Sequence, residues 1–126
     1  MDIVSLVIAL LLSINEQRTN PLTIDNQLND IAMVRSVDMA ERDYFSHYTP
    51  EDNTVYNLLM DVGYTGRGAE ILCRTVKDDC VDAWLTSTLH NVEILNEDYV
   101  NVGIGVAQDE NGIIYYTVLM FNDEQI

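Results

Sequence analysis

Positive charge is what this sequence has least of. Six Lys and Arg stand against 21 Asp and Glu, a formal net charge of −15 over 126 residues. Such a surface repels phosphate backbones and anionic headgroups, which weighs against nucleic acid and anionic membranes as partners. The plain meaning of so much acid is a solvated face. Histidine is scarce too: the chain has two, His47 and His90. Cysteine is as rare, with Cys73 and Cys80 making up the count of two. They form no C-x-x-C, and no histidine follows at zinc-finger distance. Spacing alone leaves two states open. One is a disulfide closing a short loop, worth roughly 2–3 kcal/mol and needing an oxidising compartment. The other is a pair of reduced, packed thiols.

Long hydrophobic runs are also missing. Ile3 to Leu12 is apolar except for Ser5, but it is too short to span a bilayer as a helix. Asp2 stands where a signal peptide needs positive charge, and no small-residue cleavage site precedes Ser13-Ile14-Asn15-Glu16-Gln17-Arg18. The run therefore reads as the buried half of a first helix, and no transmembrane segment is expected. The apolar share of 48% is enough for a real core. Residues 1–126 are expected to form one domain.

In chain order, residues 3–18 carry no helix breaker until Thr19-Asn20-Pro21. Leu22-Thr23-Ile24 is a short extended link. Asp25 is placed to cap a second helix ending near Asp43 or Tyr44. Its apolar positions are Leu28, Ile31, Ala32 and Met39, with Val34 and Val37 as neighbours. Thr54 caps a shorter third helix through Met60, stopped at Gly63. A turn at Gly66-Arg67-Gly68 leads into the extended piece Glu70-Ile71-Leu72-Cys73. Asp78 and Asp79 put negative charge at the start of a fourth helix bearing Val81, Ala83, Trp84 and Leu85.

The last third changes period. Val100, Val102, Ile104 and Val106 alternate with Asn101, Gly103, Gly105 and Ala107, and Asn111-Gly112 is a hairpin signal. Ile113 to Phe121 is apolar on both faces, so layers are needed above and below it. Gly103, Gly105 and Ala107 leave room for a close neighbour on one face. The expected fold class is α+β: a sheet between helical layers.

The candidate chemistry gathers around Tyr44-Phe45-Ser46-His47, the Glu70 segment and Ser87-Thr88-Leu89-His90. Two imidazoles and a carboxylate, if His47, Glu70 and His90 share a cleft, suit zinc. A lone histidine is more often structural. Ser46 and Ser87 lie beside the histidines but in neither a G-x-S-x-G elbow nor an S-x-x-K motif. The glycine spacing at Gly66 to Gly68 does not match a phosphate loop.

The ordered set of segments resembles the bacterial branch of the CAP superfamily, which groups cysteine-rich secretory, antigen 5 and pathogenesis-related 1 proteins. Leu12 to Arg18 resembles its opening helix, and Pro21 to Leu28 its second-helix entry. Asp38-Met39-Ala40 through Phe45-Ser46-His47 resembles its helix-to-histidine signature. Gly63-Tyr64 with Gly68-Ala69-Glu70-Ile71 resembles its Gly-Glu-Asn-Ile region. Ala83-Trp84-Leu85 to His90 with Ile94-Leu95-Asn96, and Val102 to Ala107, resemble its last two signatures. The resemblance implies a three-layer α-β-α sandwich with a mostly antiparallel central sheet. It also implies a ligand cleft of His47, Glu70, Ser87 and His90, with Ser87 where many eukaryotic members carry a second Glu. In some members the two histidines bind zinc or another divalent cation, which would make His47 and His90 metal ligands here. Three departures stand out: Ile71 follows Glu70 directly, Thr88-Leu89 replaces Pro-Gly, and Asn91 replaces Arg.

The resulting expectation is a non-enzymatic module, secreted or on the cell surface. It would bind a small ligand or a protein partner in that cleft. The alternatives are a metal-assisted hydrolase with Glu70 as general base, and a scaffold with a vestigial cleft.

Overall fold

The computed structural model describes residues 2–77 and 79–122. Helix α1 (Ile3–Glu16) opens on Asp2, whose carboxylate accepts the Ser5 amide at 2.8 Å. It stops two residues short of expectation because Arg18 turns inward. The Arg18 guanidinium donates to the carbonyls of Ile94, Asn96 and Tyr99 at 2.7–2.9 Å. The expected link is a two-residue strand, β1 (Thr23–Ile24), running parallel to a later strand.

Helix α2 (Asn26–Arg42) begins as expected on Asp25, which accepts the Leu28 amide at 3.0 Å. It ends at Asp43 in the left-handed region, φ 55°. Helix α3 (Val55–Asp61) follows Thr54, whose amide is taken by the Asn57 side chain at 2.8 Å. Gly63, at φ 76°, makes the left-handed exit. Strand β2 (Gly68–Thr75) is longer than the expected four-residue piece. Helix α4 (Cys80–Thr86) starts at Asp79, whose carboxylate accepts the Thr75 hydroxyl; Asp78, expected beside it, lies outside the described residues. A second short helix, α5 (Thr88–Ile94), stands where the sequence pointed only to a segment trailing the tryptophan helix. Strands β3 (Asn101–Gln108) and β4 (Ile114–Phe121) form the expected hairpin, with Gly112 at φ 83°.

The sheet order is β1-β3-β4-β2. Only the β1–β3 pairing is parallel; the other two are antiparallel. Period-2 alternation splits the strand side chains between two cores. Ile71, Val102, Ile104, Val106, Tyr116, Val118 and Met120 pack with Leu10 and Ile14 of α1, Trp84 of α4 and Ile94 of α5. On the other face, Leu119 and Phe121 pack with Leu28, Ile31 and Ala32 of α2 and Val55 and Leu59 of α3. The fold is thus an α-β-α sandwich around a mostly antiparallel sheet.

Helix α2 lies unusually close to β3. A Cβ on Gly103 would sit 2.2 Å from the Leu28 carbonyl carbon, and one on Gly105 would sit 2.1 Å from the Ala32 oxygen. The room expected at these glycines is filled by helix backbone. Asn29 adds a lock, its side-chain oxygen accepting the Ile104 amide at 2.9 Å.

Cys73 and Cys80 form a disulfide, Cα–Cα 5.9 Å, joining β2 to the start of α4. The Trp84 indole N–H donates to the Leu72 carbonyl at 3.1 Å across the same seam.

Candidate functional site

Glu70 lies on β2 opposite Leu119 and so faces the α2 layer. Its side chain is 4% exposed. A carboxylate this deep needs partners, and two supply them. Arg35 of α2, itself 1% exposed, donates from Nε to Oε2 at 2.9 Å and from Nη2 to Oε1 at 3.4 Å. His47 Nδ1 lies 2.8 Å from Oε1, with its ring on the open side, 55% exposed.

Arg35 also builds the wall that presents His47. Its Nη2 donates to the Ser46 carbonyl at 2.6 Å, and its Nη1 donates to the Tyr44 hydroxyl at 3.0 Å. Burial works against the Arg35 charge, but the bonds to Glu70 and the Glu70 charge outweigh it and hold the guanidinium above its ordinary value. Tyr44 in turn donates to Asp38; burial, then that bond, raises the phenol. Arg42 clamps Glu51 through two bonds at 2.6 and 2.7 Å, tying down the far end of the same loop.

Between the His47 loop, α3 and β2 lies a cleft of about 400 Å³, lined by His47, Tyr48, Tyr56, Gly68 and Glu70 among others. The Tyr56 hydroxyl donates to the Gly68 carbonyl at 2.7 Å. Its pKa is raised by burial first, then by the neighbouring charges of Glu70 and Glu93. Glu93 of α5 accepts the Tyr99 hydroxyl at 2.7 Å.

The structure thus brings His47 and Glu70 together. Ser87 and His90 are paired with each other, Oγ to Nδ1 at 3.0 Å, as helix cap and third residue of α5. They are not among the residues lining the cleft. Among the described residues, no group of three or more His, Cys, Asp or Glu is placed to hold a metal ion. Glu70, the expected oxygen ligand or orienter, is already engaged by a guanidinium.

Arg35 is the residue that sequence reasoning passed over. Its signal was positional: Leu28, Ile31, Ala32, Arg35, Ser36 and Met39 are the buried stripe of α2, and Arg35 is the charge on it. Val34 and Val37, counted among the apolar positions, are the exposed ones.

The family model for CAP, the cysteine-rich secretory protein family, matches residues 15–121. The chain belongs to the CAP family. Among relatives of this CAP domain, uncharacterized protein YkwD of Bacillus subtilis (strain 168) is 30% identical over 103 residues, covering 79% of this chain and 39% of YkwD. The domain therefore spans well under half of that relative. Among solved structures, an outer surface protein from Borrelia burgdorferi superposes with a TM-score of 0.87 at 23% identity, covering 97% of this chain and 96% of that one. At that identity the likeness establishes fold alone. An extracellular protein containing a SCP domain from Bacillus anthracis gives a TM-score of 0.66 at 25% identity, over 82% of this chain and 34% of that one. No helix of this CAP domain, among the described residues, is long and apolar enough to cross a membrane.

Proposed function

We propose that this CAP domain is a non-enzymatic binding module outside the cell, taking a small ligand or a protein segment in the cleft between the His47 loop, α3 and β2. One observation carries the reading. Glu70 is held on its buried side by Arg35 while His47 covers its open side. Both carboxylate oxygens are engaged, Oε2 by Arg35 Nε at 2.9 Å and Oε1 by His47 Nδ1 at 2.8 Å. The same contacts make a firm, preformed floor for binding. The extracellular assignment rests on the Cys73–Cys80 disulfide, which persists in oxidising compartments, and on the extracellular relative from Bacillus anthracis.

The divalent-cation part of the expectation draws no support from the described donors. A calorimetric zinc titration beside His47→Ala tests it directly, because one-site binding lost in the variant would restore it. The binding reading itself is tested by an NMR fragment screen. Hits should shift the amides around His47, Tyr56 and Glu70 and weaken in Tyr56→Leu. Turnover on a hydrolase panel that Glu70→Gln abolishes, in protein that still folds, would replace this reading with the hydrolase one.

A further inference from the structure

Strand β2 ends the sheet order, so one of its long sides meets no other strand. Two bonds fix which residues face that side. The Asn122 amide donates to the Arg67 carbonyl at 2.8 Å, and the Val100 amide donates to the Phe121 carbonyl at 2.9 Å. Arg67 thus faces β4, while Phe121, opposite Gly68, faces β3. Alternation then turns the main-chain groups of Gly68, Glu70 and Leu72 away from β4. Two side chains agree with that direction. The Tyr56 hydroxyl takes the Gly68 carbonyl at 2.7 Å, and the Trp84 indole N–H takes the Leu72 carbonyl at 3.1 Å.

Glu70 stands between them. Its outward amide and carbonyl have no partner among the described residues. Its side chain is 4% exposed although the residue as a whole is half-buried, so what solvent reaches is largely main chain. The cleft opens at this point, with Gly68, Ala69 and Glu70 as its β2 wall and His47, Tyr48 and Tyr56 across from them. A free edge is a template for another extended chain. This one is blunted on both sides of Glu70 and open at it.

Resting on the binding reading above, we propose that the occupant of this cleft is an extended peptide segment of a partner protein, which adds to the β2 edge by pairing its backbone with the Glu70 amide and carbonyl. An antiparallel residue opposite Glu70 exchanges both bonds with it. Main-chain pairing supplies affinity, and pockets for alternate side chains supply preference. The side chain of the paired residue falls on the Glu70 face, toward His47 and Tyr56, and its two neighbours turn to the other face.

The test follows amide resonances of the folded domain. In the free protein the Glu70 amide should exchange at least about tenfold faster than those of Ala69 and Ile71, which face β4. Equal protection would mean that the edge is already covered, and overturns the proposal. The probe is acetyl-Thr-Thr-Val-Thr-Thr-amide, titrated to millimolar concentration beside the same peptide N-methylated at its three central amides. The parent peptide should move the Glu70 amide and slow its exchange. The methylated one, unable to donate to the Glu70 carbonyl, should bind about 5- to 100-fold more weakly. Equal binding of the two overturns strand addition and leaves the cleft a binding site, as do fragment hits in a cleft that ignores the peptide. Glu70 protection that grows with protein concentration alone gives the edge to a second copy of this chain instead. Silence toward both peptide and fragments sinks both readings.

Discussion

Arg35→Met should be the most damaging conservative-volume change on α2. It removes the donor to both Glu70 oxygens and leaves that carboxylate at 4% exposure. It also strips the Ser46 carbonyl and the Tyr44 hydroxyl of a partner. Removing one member of a buried ion pair typically costs 3–5 kcal/mol, so about 4 kcal/mol is expected. Unit charges roughly 4 Å apart at an effective dielectric of 20 give the same scale. With about 2.1 cal/mol/K of unfolding entropy per residue near 60 °C, 126 residues carry ~0.26 kcal/mol/K, so Tm should fall by about 15 °C. Urea unfolding followed by circular dichroism measures the loss. The double variant Arg35→Met/Glu70→Leu removes both charges and should recover about half of it, leaving the unpaired Ser46 and Tyr44 groups as the residue. The reasoning fails if Arg35→Met costs under ~1 kcal/mol, or if the two single changes add to the double within about 0.5 kcal/mol.

Gly105→Ala should abolish or severely weaken folding, because the new methyl meets Ala32 backbone at 2.1 Å; soluble yield and amide dispersion report it, and a mild loss under ~1 kcal/mol would contradict the close approach. Reducing Cys73–Cys80 should cost about 2.5 kcal/mol on the loop-entropy relation for so short a loop, seen as a lower Tm with reductant. Intact mass of the native protein should lie two hydrogens below the reduced form, and free-thiol labelling without reductant would contradict the bond. The Arg42–Glu51 clamp predicts a pH dependence. The Arg42 hydrogen bonds lower the Glu51 carboxyl below its ordinary value, so the clamp is present above the ordinary glutamate range and is lost as pH falls through the depressed value. Amide shifts of Thr49 to Asn53 should move only at that lower pH; movement at the ordinary glutamate range would show that the clamp does not form in solution.

The layers were readable because each rests on local rules. Asp25 and Thr54 sit before apolar periodicity, Asn111-Gly112 marks the hairpin, and a strand apolar on both faces demands two helical layers. Gly103 and Gly105 announced a close neighbour without naming it. What stayed hidden depends on pairing at a distance. Thr23-Ile24 is too short to read as a strand until β3 lies beside it. Helix α5 is only seven residues and lacks a side-chain cap bond, so period and cap signals were both weak. Glu70 and His47 were singled out, but their third partner was not, because a charge on a buried stripe looks like a break in the pattern until its counter-charge is found. His90 was grouped with them by order along the chain and by the family resemblance, and its described contact is the local one to Ser87.

The glycine seam between α2 and β3 has a mechanical consequence. Two main chains in direct contact have no rotamers into which stress can relax, so this seam behaves as the rigid datum of the molecule. Arg35 rides on it and holds the cleft floor in place, while the loop carrying His47 hangs from the same helix through a handful of polar links. The two walls of the cleft should therefore open as different cooperative units. Hydrogen exchange should run orders of magnitude slower along α2 and β3 than around Ser46 to Asn53. An arriving guest would reshape the loop and leave the sandwich untouched, and selectivity among guests would be decided on the yielding side.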